Sequence, residues 1–318
     1  MPPTTTERAT AYGLELDLGF RVQGLDDGAG GGVRKASVEL LAGEELAERW
    51  GGGGRAVSDW RSRDGTRELG IDHQDGSGYL LEARGAGGFL VSEDGTQVSC
   101  APEAVPEWRW QLFLAGQTLP FAALLQGLEV FHASAVVVDD GAIAFVAGSG
   151  GGKSSVALHL AAGGASFLTD DVLAVEVREG ELLAHPGAGA ANVRMDAAAE
   201  LRERGGLGPV LGGEEGFVRM QVERHRGPVP LGALYFLERR SGGGPLAIES
   251  AAPVDPRMLL GSTFNSVVQA SERLAAQLDL CARLAASVPV FRACVPPTTR
   301  APALSLELER HMAGATRG

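Results

Sequence analysis

The run Ala147-Gly148-Ser149-Gly150-Gly151-Gly152-Lys153-Ser154-Ser155 is the strongest chemical signal in the sequence. It matches the phosphate-binding pattern G-x-x-x-x-G-K-[ST], except that Ala147 stands in place of the first glycine. Glycines let successive backbone N–H groups turn toward one anion. A helix opening at the lysine would add its positive end to that cradle. Lys153 would then reach the terminal phosphates, and the Ser154 hydroxyl would ligate Mg²⁺. Glycine runs at 30–32, 51–54 and 242–244 lack this setting, because none follows an apolar strand and ends in Lys-Ser. The chain has 28 Lys and Arg together, and only Lys35 and Lys153 are lysines. A compact ammonium suits the inside of a phosphate loop better than the wider guanidinium.

Asp170 and Asp171 follow the loop by one helix and one short strand. A right-handed connection is expected to set that strand beside the loop strand, with its C-terminal end near the phosphates. Adjacent carboxylates there can divide the work, one on the metal side and one accepting a hydroxyl proton. His132 precedes the loop strand and is a candidate partner of the reacting phosphate.

These groups need positioning elements. Alternating apolar residues from Leu14 to Val22 read as a half-buried strand. Asp-Gly pairs at 27–28, 64–65, 75–76 and 94–95 read as hairpin turns. Residues 10–102 are therefore expected to form a small, mostly antiparallel β domain, and they offer no cluster of His, Lys and carboxylates. Residues 106–126 read as one or two short helices with a bend near Pro120, bridging two halves. Beyond them the pattern predicts strands at 130–138 and 142–147, a hairpin turn at 139–141, the loop, and a helix over 153–162 closed by Gly163-Gly164. Strands follow at 166–168, 172–177, 231–237 and 288–292. A glycine-rich mobile loop is expected at 203–216, a turn at 241–244 and a long amphipathic helical region at 255–287. The expected division is 1–104 and 105–318.

At 318 residues the chain is long enough for two domains, and 44% hydrophobic residues can build a sizeable core. A net charge of -12 argues against duplex nucleic acid or an anionic membrane as partner. Cys100, Cys281 and Cys294 are too widely spaced for a zinc motif and read as reduced thiols of a cytoplasmic protein. No signal-peptide pattern or apolar run long enough to span a bilayer is visible.

Phe131-His132-Ala133-Ser134-Ala135-Val136, the loop, and Thr169-Asp170-Asp171-Val172 resemble the kinase core of the HPr kinase/phosphorylase superfamily. Within that superfamily the chain resembles the divergent HPr-kinase-like members, including kinases of lasso-peptide biosynthesis clusters, more than the bacterial HPr kinases. The resemblance extends over residues 105–295 and takes in Val229 to Leu237 and Val288 to Phe291. It implies an α/β P-loop kinase core of the HPr kinase/PEP carboxykinase-like type, preceded here by a smaller β-rich domain. It also implies an ATP- and Mg-dependent kinase acting on a hydroxyl: a serine of a peptide or protein, or a small metabolite. Carried over residue by residue, Lys153 and the loop residues 148–155 hold phosphate. Asp170 is the proton acceptor, Ser154 and Asp171 lie on the metal side, and His132 is near the transferred phosphate. Arg194 is a candidate substrate-phosphate ligand. Ser155 stands where the bacterial HPr kinases carry Glu, and their Glu–Arg–Gly signature is not recognisable in the stretch from His185 to Arg194 that sits in its place, departures that argue against HPr as substrate and against the reverse phosphorylase activity. Oligomeric family members leave a homo-oligomer open. The alternative reading is a nucleotide-binding regulatory module or slow ATPase without an acceptor.

Overall fold

The computed structural model describes residues 7–25, 34–214, 216–240, 244–264 and 267–315. The Asp-Gly pair at 27–28, the glycine run at 30–32 and most of the turn at 241–244 lie outside them. Among the described residues the fold is mixed α/β with three sheets. By contacts the chain divides into two units, Met1–Val130 with Asn265–Leu274, and Phe131–Phe264 with Ala275–Gly318.

The first unit holds β1 (Glu7–Ala11), β2 (Leu14–Leu18), β3 (Arg34–Leu40), α1 (Gly43–Trp50), β4 (Arg55–Arg61), β5 (Arg67–Gln74), β6 (Gly78–Ala83), β7 (Gly87–Val91) and β8 (Gln97–Pro102). The strands form one sheet in the order β1-β2-β3-β8-β7-β6-β5-β4. Only the β2–β3 and β3–β8 pairs are parallel. Leu14, Leu16 and Leu18 are buried on alternate positions, which is the period-two pattern of the sequence. Gly65, Gly76 and Gly95 all take positive φ at their hairpin turns, the conformation that Asp-Gly favours. Helix α1 was not legible in the sequence. Its Leu46 and Trp50 pack on Leu80, Leu90 and Ala101.

Three helical segments follow without a break: α2 (Glu107–Phe113), a π-helical turn Leu114–Thr118 and α3 (Leu119–Leu125). Pro120 stands at the second position of α3, directly after the π-helical turn, where the regular hydrogen-bond ladder is already interrupted. These helices belong to the first unit. Phe113 meets Phe89 with ring centroids 5.0 Å apart, and Phe121 meets Tyr79 at 5.1 Å.

After β9 (Glu129–Phe131), the second unit continues with β10 (Ala133–Val138), β11 (Gly141–Val146), α4 (Lys153–Ala162), β12 (Ser166–Thr169), β13 (Leu173–Arg178), β14 (Glu181–His185), β15 (Ala190–Arg194), α5 (Met195–Glu203), β16 (Val210–Glu214), β17 (Phe217–Gln221), β18 (Val229–Arg239), β19 (Ala247–Ser250), α6 (Pro256–Leu260), α7 (Ser271–Ser287), β20 (Val290–Val295) and α8 (Ala301–Ala315). Its main sheet runs β12-β10-β11-β18-β20-β19, and β14 pairs with the start of β18. β11, β18 and β20 are mutually parallel, while β10 is antiparallel to both β11 and β12. One face is covered by α4 and α8 through Val156, Leu160, Leu304 and Leu308, packed on Phe145 and Tyr235. The other is covered by α6 and the later turns of α7 through Leu259, Leu280, Cys281 and Leu284.

Three expectations need correction, and one helix was not expected. β12 is not beside the loop strand: β10 lies between them, because the tight Asp139-Asp140 turn pairs β10 with β11 first. The stretch 203–216 is not all loop, since β16 pairs with β17 and closes a small sheet with β15. The region 255–287 is two helices, and Gly261 and the Ser262 hydroxyl bond to Leu259 end the first. Helix α8 was not foreseen; its buried Leu304 and Leu308 are four apart on one face.

Gly95 tests the close approach of helix and turn. A Cβ there would lie 2.5 Å from the Ala122 carbonyl oxygen, whereas one at Gly65 would meet nothing within 4 Å. Both residues have positive φ. Gly65→Ala should cost about 1 kcal/mol from backbone conformation alone. Gly95→Ala adds a backbone clash and should cost at least about 2–3 kcal/mol. Urea unfolding of the two variants should show that order.

Candidate active site

Parallel strands in one sheet bring their C-terminal ends to one edge. β11 ends at the glycine loop, β12 at Asp170, and β18 at Arg239. β10 runs the other way, so its start, preceded by His132, falls at the same edge. Residues separated by tens of positions meet there.

The glycine loop joins a buried strand to a helix. Gly150 and Gly152 take φ of 73° and 100°. A Cβ on Gly151 would lie 2.5 Å from the Ala147 Cβ, so these three positions need glycine for geometry. The Gly151 N–H turns back to the Gly148 carbonyl at 2.9 Å. Gly148, Ser149 and Gly150 form the exposed rim, while Ser154 and Ser155 are half-buried. The ladder of α4 is entered by the Val156 N–H on the Gly152 carbonyl. The N–H groups of Lys153, Ser154 and Ser155 precede it and are the first-turn donors of the helix. A phosphate fits such a helix start.

Lys153 is 7% exposed. Its Nζ lies 2.8 Å from His132 Nε2 and 3.0 Å from Asp171 Oδ1. Burial, assisted by the Lys153 charge, holds His132 below the usual histidine pKa, against the pull of Asp171 and Asp170. The ring is therefore neutral at neutral pH, and Nε2 accepts from the ammonium, which puts the ring proton on Nδ1. The His132 N–H donates to the Ser262 carbonyl at 2.7 Å and seats the residue at the gap between β9 and β10.

Asp170 and Asp171 point to different partners. Asp170 Oδ1 accepts from the Ser134 hydroxyl at 2.7 Å, and Oδ2 from the Asn192 N–H at 3.4 Å. The Ser154 side chain hydrogen-bonds to it as well. Desolvation pushes its pKa up, reinforced by Asp171 and opposed by the Ser134 and Ser154 bonds and Lys153. Asp171 has φ 66°, and this left-handed turn swings its carboxylate away from Asp170's partners toward Lys153. The Asp171 N–H donates to Ser134 Oγ at 3.3 Å.

Ser154 and Asp170 together offer hard oxygen donors of the kind Mg²⁺ takes alongside nucleotide phosphates. Among the described residues no three His, Cys, Asp or Glu side chains cluster as a metal site.

Among the described residues no hydrogen bond or ion pair joins the Arg194 side chain to this group. Arg194 ends β15 as an exposed side chain, and its guanidinium is held by Asp196 at 3.1 and 3.2 Å. Two residues escaped the sequence reading. Ser134 links Asp170 and Asp171, although it lies inside the motif already singled out. Arg239 follows a recognisable apolar strand. It donates to the Gly151 carbonyl at 3.5 Å and to the Pro296 and Thr299 carbonyls at 3.3 and 2.7 Å. Its signal was its place at the end of a strand parallel to the loop strand, and a sequence does not display that pairing.

No family model matches the chain, and no curated protein matches it. Among solved structures it is similar to the Hpr(Ser) kinase/phosphatase from Coxiella burnetii, at 14% identity, over 59% of this chain and 99% of that chain, with a TM-score of 0.33.

The raised pKa of Asp170 sets a pH signature. An unfolded aspartate has a pKa near 3.9, so above that value the folded state holds this proton longer than the unfolded one. The associated stability is present at low pH and is lost as pH rises through the raised folded value. Asp170→Asn removes this loss. The melting-temperature difference, variant minus parent, should therefore be larger at about pH 8 than at about pH 4.5. Calorimetric scans at both pH values check it.

Proposed function

We propose that the second unit is an ATP- and Mg-dependent phosphotransferase that moves the terminal phosphoryl group to a hydroxyl, the acceptor being a serine of a peptide or protein. The observation that carries this reading is the convergence at Lys153: a buried ammonium at a helix start, within 3.0 Å of both a neutral histidine and a carboxylate. A regulatory nucleotide-binding module would need the loop but not the carboxylate and histidine held against its lysine.

In this reading residues 148–155 cradle the phosphates with backbone N–H groups, and Lys153 carries the charge that grows on the transferred group. Ser154 and Asp170 would hold the metal, which when bound supplies neutralisation of the phosphate oxygens. The geometry favours exchanging the two aspartate roles expected from the sequence. Asp170 bonds to Ser154, while Asp171 faces the end of Lys153 where a terminal phosphate would sit. Asp171 then accepts the proton of the acceptor hydroxyl as the new O–P bond forms and the bond to the leaving diphosphate breaks. His132 keeps Nζ directed across the loop. Arg239, which reaches the loop from β18, can turn from carbonyl oxygens to phosphate.

Three variants test these roles. Lys153→Ala should weaken both nucleotide binding and turnover, and Lys153→Arg should not restore them. Asp171→Asn should bind nucleotide normally and lower transfer by about a hundred- to ten-thousand-fold. Asp170→Asn should lose the Mg²⁺-dependent part of nucleotide affinity. Calorimetry and labelled-phosphate transfer to serine peptides read out both quantities. Full transfer by Asp171→Asn would return the base role to Asp170. Hydrolysis by the parent protein without transfer to any hydroxyl would favour the slow ATPase.

A further inference from the structure

A cavity of about 880 Å³ opens at the end of the second unit's sheet opposite the glycine loop. It lies where β11, β18 and β20 begin and where α4 ends, lined in part by Gly141, Gly232, Pro289 and Gly164. That volume is in the range of small-molecule sites. The room comes from missing side chains: a Cβ on Gly232 would meet nothing closer than 3.5 Å, and one on Gly164 nothing within 4 Å. Tyr235, Phe291, Ile143, Leu160 and Met312 form apolar walls. The Tyr235 and Phe291 rings stack with centroids 4.9 Å apart. Tyr235 is 1% exposed, with its hydroxyl on His311 Nδ1 at 2.9 Å, so it backs the wall while the half-buried Phe291 faces the space.

The charge around this apolar space has one sign. Asp139, Asp140 and Glu309 line it, and no Lys or Arg does. None of the three carboxylates has an ion-pair partner within 4.0 Å among the described residues. The turn explains small polar residues at 139 and 140, whose φ values are 47° and 64°. Asn or Gly would serve that turn without charge. Glu309 is more telling. Its Oε1 lies 3.0 Å from where a Cβ of Gly163 would stand, so the carboxylate rests against the C-terminal end of α4. That end carries partial negative charge and favours a cation. Arg204 lines the crevice on the other side of Glu309, and its guanidinium is paired with Glu200 at 3.2 Å. His225 is the remaining basic side chain of the lining.

We propose that this cavity binds a small organic cation: a protonated amine carried on an apolar or aromatic body. The ammonium would sit among Asp139, Asp140, Glu309 and the α4 carbonyl end, and the apolar body against Phe291, Ile143 and Met312, where burial of apolar surface holds it. The proposal stands on this cavity alone and does not depend on what the glycine loop binds.

The test is calorimetric titration of the full chain with 4-phenylbutylamine and with the neutral alcohol 4-phenylbutan-1-ol. The amine should bind at least about tenfold more tightly than the alcohol, equivalent to about 1.4 kcal/mol. Glu309→Gln, and the pair Asp139→Asn with Asp140→Asn, should each weaken the amine several-fold and leave the alcohol unchanged. Asn tolerates the left-handed backbone at both turn positions. Gly232→Leu should fill the cavity and remove both ligands; if that variant does not fold, the carboxylate variants decide. Equal affinity for amine and alcohol, amine binding unmoved by the carboxylate variants, or no saturable binding of either probe would overturn the proposal.

Discussion

A nearly buried lysine ammonium must be compensated, and the candidate active site is organised around that requirement. Lys153 sits at the first position of α4, where the helix itself is positive, so burial and the macrodipole both oppose its charge. Asp171 and the neutral His132 ring supply the compensation at 3.0 and 2.8 Å. The same surplus of positive potential that holds Asp171 would draw an anion to the loop. In the proposed phosphotransfer, an arriving phosphate would take over the ammonium and free the carboxylate for a proton.

The sheet makes this meeting possible. Inserting β10 between β11 and β12 separates the loop strand from the Asp170 strand by one position. The insertion also places the antiparallel start of β10, and with it His132 and Ser134, between the loop and the aspartates. Ser134 then bridges the pair, accepting from the Asp171 N–H and donating to Asp170. The positive φ of Asp171 completes the separation of the two carboxylates into a Ser154 side and a Lys153 side. Two adjacent identical residues thus have different partners, and desolvation raises the pKa of Asp170.

Both ends of β11 and α4 carry exposed chemistry of opposite character. At one end, glycines and first-turn N–H groups suit an anion. At the other, the C-terminal end of α4 meets Glu309, and the β10–β11 turn adds Asp139 and Asp140 around an apolar cavity. The helix dipole gives the two ends their signs, and the side chains around each end reinforce them.

Local chemistry made much of this legible in the sequence. The glycine loop, the helix from Lys153 to Ala162, the Asp-Gly turns and the two strands joined at Asp139-Asp140 follow from backbone preferences that act within a few residues. The order of strands does not. That β12 lies outside β10, that Arg239 reaches Gly151, and that Asp170 rather than Asp171 turns to Ser154 all depend on pairings between segments far apart in the chain. The apolar residues of α1 are few and find their partner only on the folded sheet, whereas Leu304, Leu308 and Met312 of α8 stand four apart, a helical spacing present in the sequence itself. Propensity and turn chemistry are written residue by residue. Register, neighbour and charge environment arise when distant segments compete to bury the same apolar surface, and that competition is decided only in the tertiary structure.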